Sequence, residues 1–123
     1  MDESFNINEK LYRAVYPPEV MHMYWKRDGS VSSAAFADPY GLSVDRGDYR
    51  EDEEVVSEMK KRFAGSILFV YVKNCREAGA IIYYLPSKKN IYHSEIHGSK
   101  DCKLLSKHQR RYLATHCRLV YGG

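Results

Sequence analysis

The apolar run at residues 67–72 constrains the fold of this chain more than any other segment. It reads Ile-Leu-Phe-Val-Tyr-Val, and most of its side chains are β-branched or aromatic. A run of this length is too short to cross a membrane and is typical of a strand that is buried on both faces. We therefore predict a central strand at this position.

Further strands are predicted on both sides of this run. Turn residues such as Pro17-Pro18 and Asp28-Gly29 separate them, because proline and glycine interrupt a ladder of backbone hydrogen bonds. The additional extended segments cover residues 11–16, 31–36, 42–45, 80–84, 91–97 and 117–121. Helices are predicted over residues 51–63 and 100–115, where apolar side chains recur at helical spacing. This order indicates an α+β fold with one curved, mostly antiparallel sheet and two main helices.

The length of the chain, 123 residues, fits a single domain. We expect residues 1–10, which are polar and acidic, to form a flexible arm, and residues 11–123 to form one α+β domain. The chain has no apolar run long enough to span a bilayer, and its N-terminus lacks the basic start and apolar core of a signal peptide. A cytoplasmic protein without a membrane partner is therefore expected.

The sequence lacks the motifs of several common kinds of site, which argues against those sites. Cys75, Cys102 and Cys117 are odd in number and have no Cys-x-x-Cys spacing, which favours free thiols over a disulfide framework or a zinc site. The chain has no Walker loop, no GxGxxG and no GxSxG. These absences argue against the usual nucleotide-hydrolase, dinucleotide and serine-hydrolase sites.

The segment Tyr92-His93-Ser94-Glu95-Ile96-His97 is the main candidate for chemistry. Alternation along a strand places His93, Glu95 and His97 on one face. This face is a solvated surface, an acid–base or anion site, or a set of two imidazoles and a carboxylate that holds a transition metal. We adopt the acid–base interpretation, with no metal.

A basic segment follows this strand. Residues 99–118 carry Lys100, Lys103, Lys107, Arg110, Arg111 and Arg118 against the single acid Asp101. On the predicted helix most of these cations share one side, where Lys100, Lys103 and Lys107 are predicted to contact phosphate. The alternative is an ordinary solvated helix face. Because residues 48–58 are acidic, the molecule is also expected to be electrically polar.

Three polar residues of the first half form another candidate set. Arg13, Ser33 and Ser43 lie in separate predicted extended segments and are expected to line a ligand cleft. The alternative is an internal hydrogen-bond network in which a buried Arg13 pairs with Asp45.

The chain contains four short motifs, LYRAVYP (11–17), GSVSSAAF (29–36), GLSVDRG (41–47) and YHSEIHG (92–98). Together they resemble a group of small bacterial proteins that carries no established activity, and the resemblance spans about residues 11–98. The resemblance implies a bacterial origin but no reaction. The positions it marks are Arg13, Ser33, Phe36, Ser43 and His93.

Together these patterns predict a protein that binds or processes a phosphate-bearing ligand, either RNA or a nucleotide. In this hypothesis His93 and His97 exchange protons, Glu95 orients one of them, and Arg13 with Lys100 or Lys103 neutralises phosphate. The alternative is a non-catalytic protein-interaction module with acidic and basic docking faces. The sequence identifies neither a cofactor nor an oligomeric state, and it leaves open whether the chain is an enzyme.

Overall fold

The apolar run forms strand β3, Ser66–Tyr71, in the computed structural model of the chain, which describes residues 4–122. Its first five residues are buried, as predicted for a strand covered on both faces. It pairs with β1, Lys10–Val15, on one side and with β6, Arg118–Tyr121, on the other. A strand with a solvated face carries polar side chains on that face. The run at residues 67–72 has no charged side chain, which accounts for the interior position of this strand.

The other strands extend the sheet beyond β1. They are β2, Leu42–Arg46, β4, Ile81–Tyr84, and β5, His93–His97. Within the described chain the sheet has six strands in the spatial order β4-β5-β2-β1-β3-β6, and all neighbouring pairs are antiparallel. The helices are α1, Asp52–Lys60, α2, Val72–Glu77, and α3, Lys107–His116. The predicted single α+β domain with two main helices is confirmed.

Side chains of the sheet alternate between two faces and build two separate cores. On the first face, sheet residues such as Leu42, Leu68 and Ile96 pack against α2 and α3. On the second face, sheet residues such as Tyr12 and Phe69 pack against α1. Apolar contacts of α1 reach β1, β3 and β6, so the half of the second face formed by β2, β5 and β4 lies beside this helix. No helix within residues 4–122 is long and apolar enough to cross a membrane.

The predicted strand at residues 31–36 is wrong. Val31 forms only an isolated bridge with Trp25, and Ser33–Phe36 is a 3-10 helix. Ala35 and Phe36 are both buried, whereas a strand on one core would alternate buried and exposed side chains. The helical turn brings both consecutive side chains into the first-face core. A second short 3-10 helix spans His22–Tyr24.

The last helix begins at Lys107 rather than at residue 100. Ser106 Oγ accepts a hydrogen bond from the backbone N–H of Gln109 at 3.1 Å, and Gln109 Oε1 accepts one from the N–H of Ser106 at 2.8 Å. This capping box satisfies two backbone donors and fixes the start of the helix. Residues 98–105 form bends and irregular backbone instead. Helix α1 likewise ends at Lys60, three residues before the predicted end.

A buried ion pair holds the segment before β1 against the sheet. Arg46 is 2% exposed, and its Nε and Nη2 donate to the two carboxylate oxygens of Glu9 at 2.7 and 2.9 Å. The guanidinium lies 4.3 Å from the ring centre of Phe5 and 4.9 Å from that of Tyr84. Phe5 and Glu9 therefore contact the domain through Arg46, while the flexibility expected for the arm at residues 1–10 stays a prediction. Residues 1–3 of that arm lie outside the described residues.

Replacing Glu9 by Gln leaves the Arg46 guanidinium buried without the Glu9 charge. We expect the free energy of unfolding, measured in urea, to fall by about 3 kcal/mol, because a buried charge that loses its partner is costly. The matched control is Glu58→Gln, which removes an exposed pair with Lys61 and should cost less than about 1 kcal/mol. Equal losses in the two variants would contradict the role assigned to the buried pair.

Candidate functional site

The three ionisable residues of β5 share the second face of the sheet. His93, Glu95 and His97 alternate with Ser94 and Ile96, which are both buried. Since Ile96 belongs to the core beneath α3, the three ionisable side chains point away from α3. They occupy the half of the second face that α1 leaves uncovered. Acid–base chemistry needs such access to solvent and ligand.

Glu95 bridges the two histidines. Its Oε1 lies 2.8 Å from Nε2 of His97 and its Oε2 lies 3.4 Å from Nε2 of His93. The first is a normal hydrogen-bond distance and the second is long. Burial raises the pKa of Glu95, but the hydrogen bonds from His97 and His93 outweigh this effect and hold the pKa below its ordinary value. Glu95 is therefore a carboxylate at neutral pH and orients both rings.

The turn at Gly41 covers the Glu95–His97 pair. A Cβ at this position would lie 2.5 Å from Glu95 Oε1 and 2.8 Å from His97 Nε2, and Gly41 has a φ of +101°, which suits glycine. The Tyr83 ring packs on the His97 imidazole with ring centres 4.7 Å apart. Side-chain exposure is 28% at His93, 20% at Glu95 and 12% at His97. Of the three residues, His93 is therefore the most accessible.

His93 also lines a cleft of about 790 Å³ beside the end of α1. The cleft opens where β1 and β2 separate: these strands pair only at Leu11–Arg46 and Tyr12–Asp45, whereas β1 pairs with β3 along all six of its residues. The loop between β4 and β5 closes the cleft opposite α1. Besides His93, its lining includes Tyr12, Ser43, Asp45, Met59, Arg62, Phe63, Ser87 and Asn90.

Arg13 occupies the gap between the separating strands. Its Nε donates to the carbonyl oxygen of Ala35 at 3.0 Å, and its Nη1 donates to that of Ser43 at 3.1 Å. Burial lowers the pKa of Arg13, and the nearby carboxylate of Asp38 opposes this effect. Arg13 thus satisfies carbonyl groups that a continuous ladder would otherwise use. Arg13 is also among the residues that line the cleft, but its Nε and Nη1 groups are already bonded to backbone carbonyl groups.

The remaining polar residues predicted for this cleft divide between the two faces. Ser43 is exposed on β2 and lines the cleft with His93. Ser33 lies on the 3-10 helix that packs against α3 over the first face. The cleft lining therefore includes Arg13, Ser43 and His93, but Arg13 shares the first face with Leu11 and Val15 and bonds to the 3-10 helix that carries Ser33.

Asp45 anchors the two walls of the cleft. Its side chain is 6% exposed; Oδ2 accepts a hydrogen bond from Nη2 of Arg62 at 2.6 Å, and Oδ1 accepts one from Nδ2 of Asn90 at 2.9 Å. These bonds tie the segment after α1 and the β4–β5 loop to β2. The pair of Arg13 with Asp45, the structural alternative predicted from sequence, does not form. Asp45 instead lies opposite His93 in the β2–β5 ladder.

The predicted basic contacts do not join the histidine cleft. Lys107 begins α3, which packs over the first face through Leu113, while His93 lies on the second face. Lys100 and Lys103 are exposed in the irregular segment before α3. The sheet therefore separates Lys107 from His93, and one site cannot contain both.

Within residues 4–122, no group of three or more His, Cys, Asp or Glu side chains is arranged to hold a metal ion. Both oxygens of Glu95 are directed at imidazole Nε2 atoms, so these side chains face one another instead of a common ion. Burial raises the pKa of Cys75 to about 12 and that of Cys117 to about 11. Both groups are thiols at neutral pH and are poor metal ligands.

Sequence patterns did not identify Tyr12, Arg62 or Asn90 as cleft residues. The Tyr12 hydroxyl donates to Asp52 at the start of α1, and burial together with this carboxylate raises the pKa of Tyr12. Arg62 ends the run Lys60-Lys61-Arg62, which was the one available signal. Nothing in the sequence distinguishes Asn90 from an ordinary loop residue.

No protein-family model matches this chain, and neither the curated proteins nor the solved structures contain a significant match. The resemblance to small bacterial proteins therefore stays a prediction.

Replacing Gly41 by Ala should displace the Glu95–His97 pair. The added methyl group would overlap both side chains in addition to straining the backbone. Gly29→Ala is the matched control, because Gly29 has a φ of +88° but no atom within 4 Å of an added Cβ. We expect the imidazole NMR signals of His97 to shift only in the Gly41 variant. Unchanged His97 signals would show that the turn does not hold the pair.

Replacing Glu95 by Gln should reduce stability in a pH-dependent way. The folded-state pKa of Glu95 is below its ordinary value of 4.5, so the carboxylate contributes fully above pH 4.5 and the contribution is lost as pH falls through the folded-state value. We expect the variant to be less stable than wild type by about 1–2 kcal/mol at pH 7. Urea unfolding between pH 7 and 3 measures this difference, which should shrink in acid. A constant difference would contradict the assignment.

Proposed function

We propose that the protein binds a phosphate-bearing ligand of nucleotide size in the cleft, and that His93 exchanges a proton with this ligand. The proposal rests on the position of His93, which lines the cleft and also contacts Glu95. A titratable imidazole oriented by a carboxylate at the wall of a cleft is the arrangement that acid–base chemistry requires.

The size and lining of the cleft suit a small organic ligand. Its volume of about 790 Å³ falls within the range of roughly 300–1,000 Å³ that is usual for small-molecule sites. The exposed residues Tyr16 and Phe63 supply apolar surface, while Ser87 and Asn90 supply polar groups on the opposite wall. This combination matches a ligand that has both a ring and charged substituents.

Arg62 is the cation best placed to bind phosphate. It lines the cleft, its side chain is 33% exposed, and its Nη2 is bonded to Asp45. A guanidinium has five N–H donors in a rigid plane, so Arg62 can bind an anion while Asp45 holds it in place. Lys88 and Lys89 are exposed between the lining residues of the opposite wall and add positive charge there. Arg62 thus takes the role that the sequence assigned to Lys100 or Lys103.

The geometry supports one proton-exchanging histidine instead of two. When Nε2 of His93 donates to Glu95, the neutral ring keeps Nδ1 as its basic atom. A ligand hydroxyl or water beside Nδ1 transfers its proton to the ring, and the Glu95 carboxylate stabilises the imidazolium that forms. His97 is not among the cleft residues; through its shorter bond to Glu95 it positions the carboxylate. The long His93–Glu95 distance is expected to shorten when a ligand binds.

A second candidate function, docking of a partner protein, is favoured by the charge on the two sides of the sheet. Glu53, Glu54 and Glu58 are exposed on α1 over the second face. Lys107 and Arg111 are exposed on α3 over the first face. Opposite charges on separate surfaces steer partners of complementary charge.

Calorimetric titration with uridine monophosphate and adenosine monophosphate tests the first proposal. We expect Arg62→Gln to weaken binding about tenfold, because a charge-assisted hydrogen bond is lost. We expect His93→Gln to keep the fold, measured by circular dichroism, and to abolish the proton uptake or release that accompanies binding.

Lys103→Glu with Lys107→Glu is the control, since these lysines lie outside the cleft. This double variant should bind both nucleotides as wild type does. Failure of wild type to bind either nucleotide would contradict the cleft proposal. Capture of an anionic protein that depends on Lys103 and Lys107 would then favour the docking function.

A further inference from the structure

A second cavity adjoins the cleft at the end of α1. It has a volume of about 490 Å³, and we call it the basic cavity because Lys60, Lys61 and Arg62 line it together with Tyr121. The segment Arg62–Ala64 lines both the basic cavity and the cleft. This segment is therefore a ridge with a cavity on each side.

The positive charge that lines the basic cavity is larger than the partial negative charge at the C-terminal end of α1. A helix C-terminus carries the equivalent of about half a negative charge, against three consecutive cations at residues 60–62. Lys61 pairs with Glu58 at 3.0 Å, but both side chains are exposed, so the pair is weak. Lys60 lies over the Tyr121 ring at 4.3 Å from its centre and forms no ion pair with residues 4–122. Positive charge thus remains available to an anionic ligand.

Phe63 places an aromatic ring on the ridge between these cations. Phe63 belongs to the helix predicted over residues 51–63, yet it follows the end of α1 and is 45% exposed. The Arg62 guanidinium lies 5.2 Å from the ring centre. Tyr16, another cleft residue, is 55% exposed. Exposed aromatic rings among cations are the features on which bases stack in single-stranded nucleic acid sites.

We infer that the ligand is a single-stranded oligonucleotide that spans both cavities. One phosphate lies beside Arg62 and His93, the adjacent phosphate lies beside Lys60 and Lys61, and a base stacks on Phe63. This inference rests on the proposed function, because it names the ligand class of the same cleft. An acidic peptide matches the charge of the basic cavity, but its carboxylates provide no planar ring for Phe63.

The test compares ligands of increasing length. Calorimetry at low salt would measure the affinities of uridine monophosphate, a uridine dinucleotide, a uridine tetranucleotide and a glutamate decapeptide. For wild type we expect the tetranucleotide to bind at least about tenfold more tightly than the monophosphate, as a second phosphate and a stacked base are added.

Two variants locate the gain in affinity. Lys60→Gln with Lys61→Gln should remove most of it while leaving the monophosphate affinity unchanged. Phe63→Leu should weaken tetranucleotide binding about fivefold, the effect of one lost stacking contact. Lys103→Gln with Lys107→Gln is the matched control, because it removes the same charge outside both cavities, and the length dependence should persist.

Equal affinity of wild type for monophosphate and tetranucleotide would overturn the inference and leave the proposed function standing. Failure to bind any nucleotide would overturn both. Equal losses in the two lysine double variants would also overturn the inference, because net charge would then explain the binding. Binding of the glutamate decapeptide as tightly as the tetranucleotide would overturn it in favour of an acidic protein partner.

Discussion

The early separation of β1 from β2 shapes the candidate site and the elements around it. These strands pair at only two positions, and every backbone group beyond them needs another partner. Arg13 meets part of this need by donating to the carbonyl groups of Ser43 and Ala35. The 3-10 helix that contains Ala35 is thereby tied to the sheet, and the opening between the strands becomes the cleft. A residue whose charge suggests ligand binding therefore also has a structural role.

The buried carboxylate of Asp45 gives the cleft its defined walls. A carboxylate in this position requires donors, since an unpaired buried charge is unfavourable. Arg62 and Asn90 provide them from two segments that are far apart in sequence. The same contacts hold Arg62 in the cleft that His93 lines, so structural stability and the proposed phosphate contact depend on one network. A rigid cationic group is preorganised for an anion, which lowers the ordering cost of binding.

The sheet separates the charged features that the sequence places close together. His97 and Lys107 are ten residues apart, but β5 directs the histidines to one face while α3 packs on the other. The second face offers a different set of cations at the end of α1, next to an exposed phenylalanine. The density of positive charge along the chain therefore favours the surface at α3 as a ligand site, whereas the geometry of the cleft favours the surface at the end of α1. Only cations on the same face as His93 can act with it on one ligand.

Local patterns in the sequence determined the fold class and much of the strand content. The apolar run defined β3, and alternation alone placed His93, Glu95 and His97 on one face, because the direction of side chains along a strand has a period of two. The same patterns failed at residues 31–36 and at the start of α3. There, burial of consecutive side chains and a capping box decided the backbone instead.

Tertiary structure alone decided which face the histidines occupy, where β1 and β2 separate, and that Arg62 and Asn90 converge on Asp45. These features arise from contacts between distant segments, and local sequence periodicity carries no information about such contacts.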